Sequence, residues 1–156
     1  MIIIGEKINA TLSRVKKIIL ERDARQLIAL AQSQAEAGAD FIDVNVGTGT
    51  GSARDEQEAM TWAVEQIQEH VDKPLCIDSA DATVLDAGLA ARGGRPSMIN
   101  STKAEEKSLQ EIVPLAKKYD TALVALAMDE SGIPETVEKR LSACEKVVNA
   151  CRQHGF

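Results

Sequence analysis

KPLCIDSADA (residues 73–82) followed by PSMINSTKAEE (residues 96–106) decides how this chain is read. Leu75–Ile77 and Ser97–Ile99 are short apolar runs, and each stops at a polar residue, Asp78 and Asn100. Small hydroxyls follow, Ser79 in one case and Ser101 and Thr102 in the other, and then a helix-like pattern. A strand buried on both faces of a parallel sheet reads as a continuous apolar run. In strand-helix folds the ligand sits beyond the carboxyl ends of such strands. Asp78 and Asn100 therefore stand where function is expected.

Working outward, the same unit recurs. Ile2–Ile4 is an apolar run closed by Gly5-Glu6-Lys7-Ile8-Asn9, and an amphipathic piece follows with Leu12, Val15, Ile18 and Ile19. Asp23 reads as a helix cap, Leu27, Leu30, Ala31 and Ala35 as one helix face, and Gly38 as the stop. Phe41–Val46 reads as a second strand, followed by the glycine-rich loop 47–52, which suits a lid or a plain linker. A helix over 54–70 carries Met60, Ala63, Val64, Ile67 and Val71 at helical spacing. After the third strand, Asp81 suits the cap of the next helix. After the fourth, Leu109, Ile112, Val113 and Ala116 share a helix face, and Pro114 within it predicts a kink or a restart. Ala122–Met128 is a fifth apolar run, ending at Asp129. Pro134 then suits the first turn of a last helix whose buried stripe is Val137, Leu141, Cys144, Val148 and Cys151.

Strictly alternating strands and helices imply a parallel sheet with right-handed crossovers. Two architectures meet that description: an open doubly wound sheet, and a (β/α)8 barrel of about 250 residues. The glycines at 47, 49 and 51 lack the spacing of a dinucleotide fingerprint.

Composition narrows the function classes. The chain has 156 residues, enough for one domain with a real core, and its net charge of −6 argues against nucleic acid as a partner. No apolar stretch reaches the length of a membrane span, and the start MIIIGEK does not read as a signal peptide. The three cysteines show no metal-ligand spacing, so no metal site is expected and a reducing cytoplasm is the simple reading.

The strand ends carry the chemistry: Glu6 and Asn9, Asp43 and Asn45, Asp78, Asn100, and Asp129. Gathered at one mouth, they make a pocket rich in carboxylates and amides, without the cationic groups that hold a phosphate. Such a pocket suits a neutral, flat ligand with N–H donors. A carboxylate accepts paired hydrogen bonds from an amidine-like edge. An amide matches a lactam edge, because it both donates and accepts. A 2-amino-4-oxo pyrimidine ring, as in pterins, presents both edges.

GEKIN (5–9), GADFIDVNVG (38–47), PLCIDSADATVLDAGL (74–89), INSTKAEE (99–106) and ALAMDESGIP (125–134) together resemble a known family. It is the pterin-binding domain of methyltetrahydrofolate:corrinoid methyltransferases, which also occurs in cobalamin-dependent methionine synthase. Dihydropteroate synthase is a more distant relative. The resemblance runs in order over nearly the whole chain. The Asn-Ser-Thr at 100–102 follows the methyltransferase pattern. The synthases tend to place an aspartate after that asparagine and carry a Ser-Phe-Ser-Asp segment near the first strand that is absent here.

The resemblance implies a (β/α)8 TIM barrel of the dihydropteroate synthase type, with residues 1–156 forming its N-terminal part, about the first five strand-helix units. It implies methyl transfer between N5 of 5-methyltetrahydrofolate and the cobalt of a corrinoid (cobalamin) held by a partner protein, a step of cytoplasmic one-carbon metabolism. It places Asp78 and Asn100 on the pterin ring, and gives Asn100 a part in catalysis. Asp43, Asn45, Asn9 and Asp129 match positions around the pocket. Further family contacts, an aspartate and an asparagine, belong to later strands. The alternatives are a synthase-like pterin enzyme, which would need an anion site, and a pterin-binding fragment without activity. Unpaired edges on the first and fifth strands would favour a homodimer or other self-association.

Overall fold

A computed structural model describes all residues, Met1–Phe156. Strands and helices alternate along the chain: β1 (Ile4–Asn9), α1 (Ser13–Glu21), α2 (Ala24–Glu36), β2 (Phe41–Asn45), α3 (Ala53–Gln68), β3 (Leu75–Asp78), α4 (Ala82–Ala91), β4 (Ser97–Lys103), α5 (Glu106–Tyr119), β5 (Ala122–Leu126) and α6 (Val137–Gln153). This is the α/β alternation expected of the opening units of a (β/α)8 barrel. The chain divides into two compact units, Met1–Met98 and Ile99–Phe156.

In the first unit, β1, β2 and β3 lie side by side and parallel. Ile42, Val44, Leu75 and Ile77 are fully or almost fully buried, as are Leu27 of α2, Met60 and Ile67 of α3, and Leu85 and Leu89 of α4. Each such side chain contributes about 1.5–3 kcal/mol of burial. The expected α3 face is buried; on α2, Leu27 and Ala31 are buried while Leu30 and Ala35 are half-buried, and Leu12 before α1 is exposed. The caps behave as their residue types predict: Asp23 accepts from the Gln26 N–H at 3.0 Å and Asp81 from the Thr83 N–H at 2.8 Å. Ser52 and Asp55 form a reciprocal capping box at the start of α3, which ties down the end of the 47–52 loop. Arg22 ends α1 in the left-handed region (φ 53°) and lays its guanidinium over the Trp62 ring, 5.0 Å from its centroid.

The first strand differs from the expectation. It starts at Ile4 and runs through the polar GEKIN segment, while Ile2 and Ile3 stay exposed. The register slips between Gly5 and Ile8, and this bulge brings the Lys7 N–H to the side-chain oxygen of buried Gln34, at 2.7 Å. Gly5 makes room for that contact, since a Cβ there would stand 2.7 Å from the same oxygen. Ile8 is the one residue of GEKIN that is fully buried, so hydrophobicity marks only one position of this strand.

In the second unit, β4 continues past Asn100 to Lys103 and neighbours β5. Helix α5 is continuous over Glu106–Tyr119 with Pro114 inside it, so of the expected kink or restart the restart does not occur. Pro134 precedes α6 without belonging to it: Thr136 is the cap, accepting from the Lys139 N–H at 3.3 Å, and the helix begins at Val137. The α6 stripe is a second correction. Ala143 and Val147 are buried, packing with Ala104, Leu109 and Val113, and Ala150 and Cys151 sit against this cluster. Val137, Leu141, Cys144 and Val148 are exposed. Alanines at 143 and 150 present the flatter face, and that face is the one packed with α5 residues.

Helices α3 and α4 meet at a small residue. A Cβ on Gly88 would stand 2.8 Å from Met60 Cγ and 2.9 Å from Ile77 Cγ2. Gly88→Ala should therefore lower stability by about 1–3 kcal/mol through overpacking. A urea midpoint no lower than that of the parent chain would contradict the close approach.

Candidate functional site

Side chains alternate across a strand with period two. Burying Ile42, Val44, Leu75 and Ile77 on one face of β2 and β3 therefore sends Asp43, Asn45, Cys76 and Asp78 to the other. The parallel register pairs Asp43 with Cys76, Asn9 with Asn45, and Asn45 with Asp78. The last residues of three consecutive strands thus form one polar row, Asn9–Asn45–Asp78. All three are half-buried.

Their side chains are individually committed. The Asn9 carbonyl oxygen accepts from the Thr11 N–H at 3.0 Å and the Thr11 hydroxyl at 2.7 Å, so Asn9 has N–H donors to offer a ligand. The Asn45 NH2 donates to Asp78 Oδ2 at 2.9 Å, and its carbonyl oxygen accepts from the Gly47 N–H at 3.0 Å. Behind the row, the Ser79 hydroxyl donates to Glu56 Oε1 at 3.2 Å and accepts from the Asp81 N–H at 3.1 Å. Ser79 is buried and serves the turn that leads into α4.

One layer deeper, Asp43 is buried and lies beside Cys76. Burial, then the charge of the Asp43 carboxylate and a hydrogen bond to it, push the Cys76 pKa far above the ordinary thiol value. The charges of Asp78 and Glu6 act in the same direction. Cys76 is thus a neutral thiol and no nucleophile. The face can offer a ligand carboxylate and amide groups, and its electrostatics favour donors and positive edges.

In the second unit, Asn100 is half-buried within β4. Asp129 lies in the turn after β5, where Oδ1 accepts from the Ser131 hydroxyl at 2.6 Å and the Ser131 N–H at 2.9 Å. These bonds hold its carboxyl below the usual range, the hydroxyl first. Its neighbour Glu130 accepts from the Glu106 N–H at 2.9 Å and pairs with Lys146 at 3.1 Å. A concavity of about 730 Å³ lies between α5 and α6 and is lined by helix residues such as Gln110, Glu145, Lys146 and Asn149. In a strand-helix fold it is on the wrong layer for a ligand site of this kind.

Strand-end logic picks out Asn9, Asn45 and Asp78. It does not find Thr11, Glu56 or the Gly47 N–H, because each acts from outside a strand. Their weak signals are a hydroxyl two residues after Asn9 and a carboxylate one turn into a capped helix.

The sequence pattern of the family described as "Pterin binding enzyme" matches residues 5–156. The chain is 39% identical over 160 aligned positions to a methylcorrinoid:tetrahydrofolate methyltransferase of Eubacterium limosum, covering all of this chain and 57% of that protein. It is 29% and 28% identical to the methionine synthases of Mycobacterium leprae and Mycobacterium tuberculosis, over 96% of this chain and 12% and 13% of theirs. The chain thus spans little more than half the length of the first relative and a small part of the other two.

The thiols give a direct check on the site's electrostatics. At pH 8 a chromogenic disulfide reagent should label exposed Cys144 readily, and Cys76 only after denaturant is added. Fast native-state labelling of Cys76 would contradict the buried neutral thiol.

Proposed function

This chain belongs to the pterin binding enzyme family, and we propose that it forms part of the pterin-binding barrel domain of a cytoplasmic methyltransferase. The reaction is methyl transfer between N5 of 5-methyltetrahydrofolate and a corrinoid carried by a partner protein. The observation that carries this reading is the in-register row Asn9–Asn45–Asp78 at the ends of β1, β2 and β3. The 39% identity to a methyltransferase that names both a methylcorrinoid and tetrahydrofolate supports the choice within the family.

The row suits a neutral pterin. The Asp78 carboxylate accepts from the ring N–H and the 2-amino group together, in the manner of an arginine–carboxylate pair. Asn9 adds N–H donors. Asp43, one layer below, keeps this face negative. Asn100 keeps the binding and catalytic role that the family resemblance gives it, and Asp129 matches a position around the pocket by the same resemblance.

The reaction is demanding because a tertiary amine is a poor leaving group. A proton or hydrogen bond at N5 must strengthen in the transition state. The corrinoid supplies the cobalt that exchanges the methyl group. This chain's residues hold the ring flat and fixed, so that N5 meets that partner in one orientation. No side-chain nucleophile is required, in keeping with a protonated Cys76.

Titration of the chain with 5-methyltetrahydrofolate tests the reading. Asp78→Asn should weaken binding by about 1–3 kcal/mol, the cost of a mismatched polar group. Unchanged affinity would reject the role of Asp78. Asn100→Ala should lower both affinity and methyl transfer to free cob(I)alamin at an unaltered melting temperature. A lower melting temperature with unchanged affinity would make Asn100 structural.

A further inference from the structure

Asn45 stands among the polar strand-end residues, and each end of its side-chain amide already makes one bond within the chain. Its NH2 donates to Asp78 Oδ2 at 2.9 Å and its carbonyl oxygen accepts from the Gly47 N–H at 3.0 Å. These two bonds select one orientation of the amide. Flipped, it would set an oxygen against the carboxylate and an NH2 against the Gly47 N–H, and lose both. Its backbone is fixed as well: the Asn45 carbonyl accepts from the Ala10 N–H at 3.0 Å, and Asn45 is in register with both Asn9 and Asp78. Gly47 is close enough that a Cβ on it would stand 3.3 Å from the Asn45 carbonyl oxygen.

Asp78 needs such a partner. The terminal torsion of an aspartate is broad, and a half-buried carboxylate at a strand end rotates unless something holds it. A carboxylate has about four acceptor positions on its two oxygens. Asn45 fills one of them, on Oδ2. Both oxygens keep a free position for a pair of parallel N–H donors.

We infer that Asn45 is a positioning residue that locks the Asp78 carboxylate in the plane that reads the 2-amino edge of the pterin, and does not itself touch the ligand. The inference rests on the pterin reading above. It moves Asn45 from the ligand-contacting set to a specificity-setting one. Asn45 acts only through Asp78, and only on ligands that carry the edge Asp78 reads.

The test is a double-mutant cycle read by titration with 5-methyltetrahydrofolate and with its 2-desamino analogue. Asn45→Ala should raise Kd for 5-methyltetrahydrofolate about 10-fold and Asp78→Ala about 100-fold, while the double variant binds no worse than Asp78→Ala alone. Asn45→Ala should raise Kd for the 2-desamino analogue clearly less than for 5-methyltetrahydrofolate, since that ligand keeps only the ring N–H of the edge Asp78 reads. Asn45→Asp keeps the side-chain volume and the acceptor for Gly47 but faces Asp78 with a second carboxylate. It should weaken 5-methyltetrahydrofolate at least as much as Asn45→Ala, and it serves if the alanine variant does not fold. Losses that multiply in the double variant, or equal losses for both ligands, would overturn the positioning role while leaving the pterin site standing. A parent chain that binds neither ligand would overturn the pterin reading and this inference with it.

Discussion

The parallel register of β1, β2 and β3 is the constraint on which the site depends. Strand pairing sets which residues stand opposite one another, and burial sets which face each side chain takes. Ile42, Val44, Leu75 and Ile77 must leave water, and they do so against the helices. Asp43, Asn45, Cys76 and Asp78 are thereby committed to the opposite face. A slip of one residue would exchange the two sets, placing carboxylates in the apolar layer. The energy that maintains the site is therefore mostly hydrophobic and resides on the side of the sheet that takes no part in the chemistry.

The polar face carries its own internal order. Each amide or carboxylate in the row answers to a neighbour: Asn9 to Thr11, Asn45 to Gly47 and Asp78. Such bonds remove rotational freedom before a ligand arrives, so less ordering entropy is lost on binding. The acidic character of the face has a second effect. Together with burial, the larger cause, it keeps Cys76 protonated, so the sulfur beside this face is no nucleophile. Under the methyl-transfer reading proposed above, orientation and electrostatics are what this face would contribute.

Much of this was legible from residue order. The alternation of units, the end of β3, the buried faces of α3 and α5, and the caps at Asp23 and Asp81 follow from short-range rules and stand in the structure, whereas β2 ends one residue early, at Asn45, and α2 buries Gln34 beside Leu27 and Ala31. The misses share a cause. β1 is polar and carries a bulge, so its strand character comes from pairing with β2 and from Gln34, a residue of another element. α6 has two apolar stripes, and periodicity cannot choose between them. The choice fell on Ala143 and Val147, which fit the α5 residues Leu109 and Val113. At Pro114 a local rule predicted a kink or a restart, and the helix does not restart.

By itself, then, the sequence determined the fold class, the family, and the polar residue types that end the strands, because each of these is written in composition, period and motif. Tertiary structure alone decided how those residues divide the work. In the sequence, Asn9, Asn45 and Asp78 are equivalent polar ends of strands. In the folded chain, one amide is tied through its oxygen to Thr11, one bonds a carboxylate and a backbone N–H, and that carboxylate is Asp78. The physical reason is that a hydrogen bond between side chains 33 positions apart depends on register and distance. Neither quantity exists until the strands have paired.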